Sequence, residues 1–206
     1  MTHKALIGIG SNLGSPQENC KRAISLLCES DSISLLKQSA LYQSEPVGKT
    51  NQPWFVNAAI EIQTTLSPES LLKTLLNIEQ QMGRTRSEKW GPRVIDLDIL
   101  DYEGRMINSK SLTLPHPEML NRRFVLEPLS EISGSTIHPV KKKIYKELIK
   151  RTSPNPDSKK TFAIIKNLLS KFPYFLKPLL LIFPKEIYFH HFPKNVFFHG
   201  SKDCWA

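Results

Sequence analysis

Residues 95–99, Ile-Asp-Leu-Asp-Ile, alternate apolar and acidic side chains without a break. Successive side chains leave a strand on opposite sides, so this pattern is that of a strand with one buried and one open face. Ile95, Leu97 and Ile99 take the core side. Asp96 and Asp98 then stand side by side on the other, about 6.5–7 Å apart. The stretch "FVNAAIEIQ" repeats the arrangement: Val56, Ala58, Ile60 and Ile62 share one face and Phe55, Asn57, Ala59 and Glu61 the other. Each strand has a core side and a working side.

The segments between these strands read as turns and helices. Residues 5–9 are apolar and β-prone, and "GSNLGSPQE" follows with Ser15 at an N-cap, Pro16 at the first helical position and Glu18 three residues after the cap. Cys20, Ala23, Ile24 and Leu27 recur at helical spacing. A strand is expected over Ser34 to Ser44. Ser67 and Pro68 open a second helix with a stripe of Leu72, Leu75, Leu76 and Glu79, and Gly83 ends it. The order strand, helix, strand, strand, helix, strand predicts an α+β fold of ferredoxin-like βαββαβ type, an antiparallel sheet with helices on one face. A turn and short strand in "EGRMINS", a short helix in "PHPEMLNRRFVLEPL" and a final helix over Lys141 to Arg151 complete a domain of residues 1–153.

The texture changes at Pro154. Residues 154–206 form an extension rich in Phe, Pro and Lys, expected to be poorly ordered or peripherally packed. From residue 155 it holds eight lysines against Asp157, Glu186 and Asp203, a surplus of five within the formal +9 of the 206-residue chain. The charge alone suits nucleic acid, an anionic membrane or a phosphate-rich small molecule. The longest apolar piece of the extension, Phe172 to Phe183, is broken by Pro173, Lys177 and Pro178 and falls short of the ~20 residues of a spanning helix. No membrane span is expected. His190, His191 and His199 show no metal-like spacing. Cys20, Cys28 and Cys204 do not make a paired framework, and the N-terminus carries no secretory apolar run, so a reducing cytoplasm is the expected setting. "GIGSNLG" is one residue off the dinucleotide fingerprint and is read as a tight strand-to-helix turn.

Just before the two acids stand Arg84, Arg86, Lys89 and Arg93. Paired carboxylates repel one another unless a proton or cation lies between them, and hard oxygen ligands at this spacing suit Mg²⁺, one ion or two. The plainer alternative is that each acid pairs with an arginine. Guanidinium forks hold phosphate oxygens bidentately. Acids that hold metal beside bases that hold phosphate describe a metal–nucleotide site, and a loop between Gly83 and Gly91 can close over it. Trp90 is either an anchor of that loop or a surface-packed ring.

Six collinear blocks carry a resemblance that covers residues 5 to about 151: "GSNLG" (Gly10–Gly14), "YQSEPVG" (Tyr42–Gly48), "QPWFVNAAI" (Gln52–Ile60), "GRTR" (Gly83–Arg86), "KWGPRVIDLDIL" (Lys89–Leu100) and "LPHPEMLNRRFVLEPL" (Leu114–Leu129). Together they resemble the 6-hydroxymethyl-7,8-dihydropterin pyrophosphokinases of folate biosynthesis. The resemblance implies transfer of the terminal diphosphate of ATP, the co-substrate, to the pterin hydroxymethyl group, with AMP left behind. It implies that Asp96 and Asp98 hold two Mg²⁺ ions and that Arg84 and Arg93 stabilise phosphate charge. Glu79, Arg86, Trp90, Ile99, His116 and Arg122 fall on the nucleotide side. For the pterin it implies aromatic walls from Phe55 and Phe124, an amide from Asn57, and groups near Ser44, Pro46, Val47 and Gly48. Ser111 stands where some members carry a basic residue, so that contact is lost or passes to Lys110. The extension matches nothing associated with the family and is too short for a fused barrel of ~250 residues.

Two rivals remain at this stage. A nucleotidyltransferase would use the same acids to direct attack at the α-phosphorus and release pyrophosphate. An RNA-binding module would need exposed aromatics on a central strand, and "DLDILDY" offers acids there, so no nucleic-acid partner is expected. The chain is expected to act as a monomer on small-molecule substrates.

Overall fold

A computed structural model of the chain describes residues 1–84, 91–151 and 162–164. All of them fall within the unit Met1–Ile165, and Lys166–Ala206, the second unit, contains no described residue. The first strand, β1 (His3–Ser11), is followed by α1 (Pro16–Cys28), β2 (Ile33–Gln38), β3 (Leu41–Ser44), β4 (Phe55–Thr64), α2 (Pro68–Gln81) and β5 (Asp96–Tyr102). These strands form one antiparallel sheet in the order β5, β1, β4, with β2 and β3 both on the far edge of β4. That is the expected βαββαβ arrangement. Beyond the boundary expected at residue 153, β8 (Phe162–Ile164) pairs antiparallel with Leu41–Gln43 of β3. Between them lie a two-stranded ribbon of β6 (Ile107–Asn108) and β7 (Thr113–Leu114), a 3₁₀ turn (Met119–Asn121), α3 (Arg123–Ser133) and α4 (Tyr145–Arg151).

The core follows the alternation read from the sequence. Ala5, Ile7 and Ile9 of β1, Val56, Ala58, Ile60 and Ile62 of β4, and Leu97 and Ile99 of β5 meet Cys20, Ala23, Ile24 and Leu27 of α1. Burial pushes the Cys20 thiol up to about 12, so it behaves as a small apolar side chain. The stripe of α2 is rotated slightly from expectation: Leu71, Leu75 and Ile78 are buried, whereas Leu72 and Leu76 are half-buried. Ser67 caps α2 by accepting the Ser70 N–H at 3.2 Å, but Ser15 makes no side-chain cap bond to α1.

Three expectations are corrected. The single strand over Ser34 to Ser44 is two strands with a one-residue bulge, since Gln38 faces Ile60 while Tyr42 faces Asn57. Ser39 preserves the pairing at the break: its N–H donates to the Ala59 carbonyl at 2.9 Å and its hydroxyl accepts the Ala59 N–H at 3.0 Å. Helices cover both sheet faces, not one. Leu6, Ala59 and Leu100 on the working side are apolar and are buried under Leu126 and Leu129 of α3 and Leu148 of α4. A register shift after Ile99 makes this possible, because it turns both Leu100 and Asp101 toward the second face. Finally, α4 starts at Tyr145 rather than Lys141. The ring Nδ1 of His138 accepts the N–H groups of Val140 and Lys141 at 3.1 and 3.2 Å, and Lys142 has φ 52°, so a turn occupies the expected first helical residues.

His138 is buried and holds this turn as a neutral acceptor, with Tyr145 packed edge-on at 5.9 Å. Burial lowers its pKa, the Asp101 carboxylate pulls it back up, and Lys141 lowers it again. The unfolded chain therefore takes up the proton first as pH falls through ~6.5, and the stability held by neutral His138 is present above that value and lost below it. The urea midpoint should fall between pH ~7.5 and ~5, and His138→Asn, which keeps an acceptor for the two N–H groups, should show a smaller fall. Equal pH dependence in both proteins would remove His138 from the account.

Candidate active site

The working face of β1 carries no side chain where the cleft opens. Gly10 lies between Asn57 of β4 and Asp96 of β5, and Gly8 lies between Ala59 and Asp98. A Cβ on Gly10 would stand 3.4 Å from Asn57 Oδ1 and 3.9 Å from Asp96 Cβ, and one on Gly8 would meet Leu100 Cδ2 at 3.2 Å. The two glycines thus form a bare floor with polar groups on either side. They were read as part of a turn, yet only Gly14, with φ 64°, sits in it. Their alternation with Ile7 and Ile9 was the available signal.

Above this floor is a cleft of about 540 Å³, lined among others by Ser44, Val47, Phe55, Asn57, Arg84, Arg93, Asp96, Asp98, Arg122 and Phe124. Residues from the sheet, the first turn of α3 and the segments flanking residues 85–90 converge there. Phe55 opens β4 and Phe124 opens α3, so two rings from distant segments reach one cavity. Asn57 donates through Nδ2 to Ser44 Oγ at 2.8 Å, which leaves Oδ1 toward Gly10.

The end of α2 places the first arginine. Gly83 has φ 83°, its N–H donates to the Gln80 carbonyl at 3.0 Å, and the Arg84 N–H donates to the Glu79 carbonyl at 3.0 Å. This is a Schellman ending, which folds the residue after the glycine back against the last turn. Arg84 consequently pairs with Glu79 and reaches Asp96 Oδ1 at 2.7 Å. Glu79 is itself buried and accepts the Leu97 N–H at 2.7 Å; burial raises its pKa against that hydrogen bond and the Arg84 charge. Arg93 holds the other oxygen of Asp96 at 2.5 Å. Its backbone N–H donates to Asn12 Oδ1 at 2.7 Å, and Asn12 Nδ2 donates to Gln52 Oε1 at 3.1 Å and the Pro53 carbonyl at 3.0 Å. One buried amide ties the segment before β5 to the segment before β4.

The two acids differ in surroundings. Asp96 is shared between two guanidinium groups, the pairing that the plainer alternative anticipated. Asp98 makes no side-chain hydrogen bond or ion pair among the described residues; burial and then the Asp96 charge push its carboxyl up, while His116, Arg122 and Arg84 draw it down. His116 is lowered by burial and raised by Asp98. Its backbone N–H donates to the Leu100 carbonyl at 2.9 Å and its ring Nδ1 accepts the Glu118 backbone N–H at 3.2 Å. A carboxylate pair with one member unpaired among the described residues fits a hard divalent cation by its donor chemistry.

Some expected residues do not line this cleft. Ile99 is core, 3% exposed, on the face opposite the two acids, so its side chain cannot meet a ligand there. Pro46 is buried beside Val47, Gly48 is exposed with φ 85°, Glu79 stands behind Arg84, and His116 lies next to Asp98 outside the lining. Arg86, Lys89 and Trp90, and likewise Cys204 and the histidines of the extension, lie outside the described residues. Glu45, Gln52, Pro92 and Val125 line the cleft without having been singled out.

Comparison with known proteins agrees on one family. The model of the 7,8-dihydro-6-hydroxymethylpterin-pyrophosphokinase family matches residues 6–134. A 2-amino-4-hydroxy-6-hydroxymethyldihydropteridine pyrophosphokinase of Methylorubrum extorquens is 42% identical over 134 residues, 65% of this chain and 85% of the relative. One of Haemophilus influenzae is 42% identical over 147 residues, 71% of this chain and 91% of that one. Among solved structures, the Plasmodium falciparum HPPK-DHPS wild type with pterin and p-hydroxybenzoate is similar in fold, with a TM-score of 0.59 at 15% identity over 73% of this chain. The present chain covers 42% of that longer one.

The unequal surroundings of the acids can be tested directly. Asp96→Asn removes the repelling charge and releases Arg84, so the Asp98 carboxyl should titrate lower than in the parent protein yet stay above the ordinary range, because its burial is unchanged. Carboxyl-carbon NMR titration reads this. An Asp98 titration that does not move would mean that the two acids are not electrostatically linked.

Proposed function

From a chain that belongs to the 7,8-dihydro-6-hydroxymethylpterin-pyrophosphokinase family, we propose a diphosphotransferase that moves the terminal diphosphate of ATP to the hydroxymethyl group of 6-hydroxymethyl-7,8-dihydropterin. The products are AMP and the pterin diphosphate used in folate synthesis. The observation that carries the reading is the meeting, on one glycine floor, of a carboxylate pair, three arginines, two aromatic rings and an amide. A flat heterocycle fits between Phe55 and Phe124 with its polar edge at Asn57. A polyphosphate fits the side where Arg84, Arg93 and Arg122 stand.

Asp96 and Asp98 would hold Mg²⁺, in two ions, which when bound supplies charge neutralisation for the triphosphate and a lower pKa for the attacking hydroxyl. The remaining work is positional. Arg84 and Arg93 now neutralise Asp96, and with nucleotide in the cleft they turn to phosphate oxygens, which they can hold without losing charge. The pterin oxygen then bonds to the β-phosphorus in line as the bond from that phosphorus to the oxygen bridging to the α-phosphate breaks. AMP leaves with that oxygen and the hydroxyl proton passes to solvent. No side chain is assigned as general base; positioning and electrostatics carry the acceleration. Arg86, Trp90 and His116 complete the nucleotide side in this reading, and Glu79 holds Arg84. We also propose a monomeric, cytoplasmic enzyme whose catalytic unit is residues 1–153; no helix among the described residues is long and apolar enough to cross a membrane.

The deciding assay follows AMP from MgATP with and without the reduced pterin. Pyrophosphate release with a nucleotidylated acceptor would overturn the reading in favour of attack at the α-phosphorus. Asp98→Ala should lower kcat at least ~10²-fold and weaken Mg-dependent nucleotide binding with the fold intact. Arg93→Ala should lower kcat by about 10²-fold with little change in pterin KM; equal losses in both would indicate a disturbed cleft instead.

A further inference from the structure

The segment that delivers Arg93 to the cleft is anchored at its next residue by groups that do not line the cavity. The Val94 carbonyl accepts the Ser11 hydroxyl at 2.5 Å and the Asn19 Nδ2 at 3.2 Å. The same Asn19 nitrogen lies 3.2 Å from Ser11 Oγ and 2.9 Å from the Leu13 carbonyl. Three oxygens therefore converge on one NH₂ group, which has two hydrogens to share among them. Ser11 is fully buried. Asn19 lies in α1, directly before Cys20, whose side chain is locked in the core. The anchor thus stands on a rigid element.

The adjoining peptide is held in the same way. The Arg93 carbonyl accepts the N–H groups of Asn12 and Leu13 at 3.0 and 3.3 Å, and Leu13 is the residue whose own carbonyl Asn19 binds. Asn19 therefore bridges two segments far apart in the chain: Leu13, whose N–H binds the Arg93 carbonyl, and Val94, the residue after Arg93. From Val94 the chain passes through buried Ile95 straight to Asp96.

We propose that Asn19 is a positioning residue for diphosphate transfer, setting through the Val94 and Leu13 carbonyls the direction in which the Arg93 guanidinium leaves the backbone relative to Asp96. The inference rests on the reading of Arg93 as a phosphate-stabilising cation. A displacement near 1 Å at such a group is enough to cost ~10²-fold in rate, while the pterin-side groups of this reading stand on β3, β4 and α3, and none of them is a hydrogen-bond partner of the Asn19 amide. Loss of Asn19 should consequently act on turnover and spare pterin affinity.

The test is a double-mutant cycle in the full chain. Asn19→Ala should lower kcat roughly 10-fold or more and leave pterin KM within about 3-fold. Combined with Arg93→Ala it should add less than about 2-fold to the loss of Arg93→Ala alone, because aiming a guanidinium that is absent has no value. Asn19→Asp, of equal size but without N–H donors, should be at least as impaired as Asn19→Ala. If Asn19→Ala fails to fold, Ser11→Ala, which removes the other donor to the Val94 carbonyl, enters the same cycle with the same expectation. Unchanged kcat, or losses that multiply in the double variant, would overturn the proposal. Wild-type turnover in Arg93→Ala alone would instead remove the role of Arg93 on which the proposal rests, and that result is separately visible.

Discussion

Two carboxylates on one face of β5 set the terms for the cleft. At about 6.5–7 Å and an effective dielectric near 20 their mutual repulsion is about 2.5 kcal/mol, large for a single pair of side chains. The fold meets it unequally. Asp96 receives both Arg84 and Arg93, whereas at Asp98 burial and the Asp96 charge outweigh the pull of His116, Arg122 and Arg84, and its carboxyl binds a proton more readily. The arginines are consequently held at the place where a phosphate would need them, by an acid that a divalent cation would occupy. Much of the surrounding architecture keeps these three groups together.

The sheet supplies that architecture through its two unlike faces. On one, α1 and α2 bury a continuous apolar layer. On the other, α3 and α4 cover only as far as Leu6, Ala59 and Leu100. Where they stop, β1 turns from Leu6 to Gly8 and Gly10, and the surface drops to bare backbone. The cavity owes its depth to the absence of two Cβ atoms, and its walls to residues from β4, β5 and α3 that rise around them.

Asparagines then join what the sheet leaves apart. Asn12 links the segments before β4 and β5, and Asn19 links the latter to α1. A carboxamide donates and accepts at once, so it can connect backbone groups of segments that share no strand pairing. The arginine end of the cleft is thereby tied to α1, whose inner face is packed in the core.

The core was largely legible beforehand. The alternation in residues 95–99 and in "FVNAAIEIQ" assigned Ile60, Ile62, Leu97 and Ile99 to the core, and helical spacing picked out Cys20, Ala23, Ile24 and Leu27. The alternation places the Ile99 side chain in the core, where the structure has it, while the resemblance sets the same residue on the nucleotide side. The break at Ser39, the late start of α4 and the second helical layer were not legible. The break and the second layer depend on contacts between residues distant in the chain, such as Ser39 with Ala59 or Leu6 with Leu126, and the late start of α4 on a turn around the His138 ring that no periodicity announces.

What the sequence by itself determined is which side a residue faces within an unbroken stretch of strand or helix, since pleat and helical pitch are local properties of covalent geometry. What only the tertiary structure decided is which faces meet: that Gly10 falls between Asn57 and Asp96, and that Asn19 reaches the Val94 carbonyl. Strand register and helix docking are settled by the fit of the whole core, and no single segment contains that information.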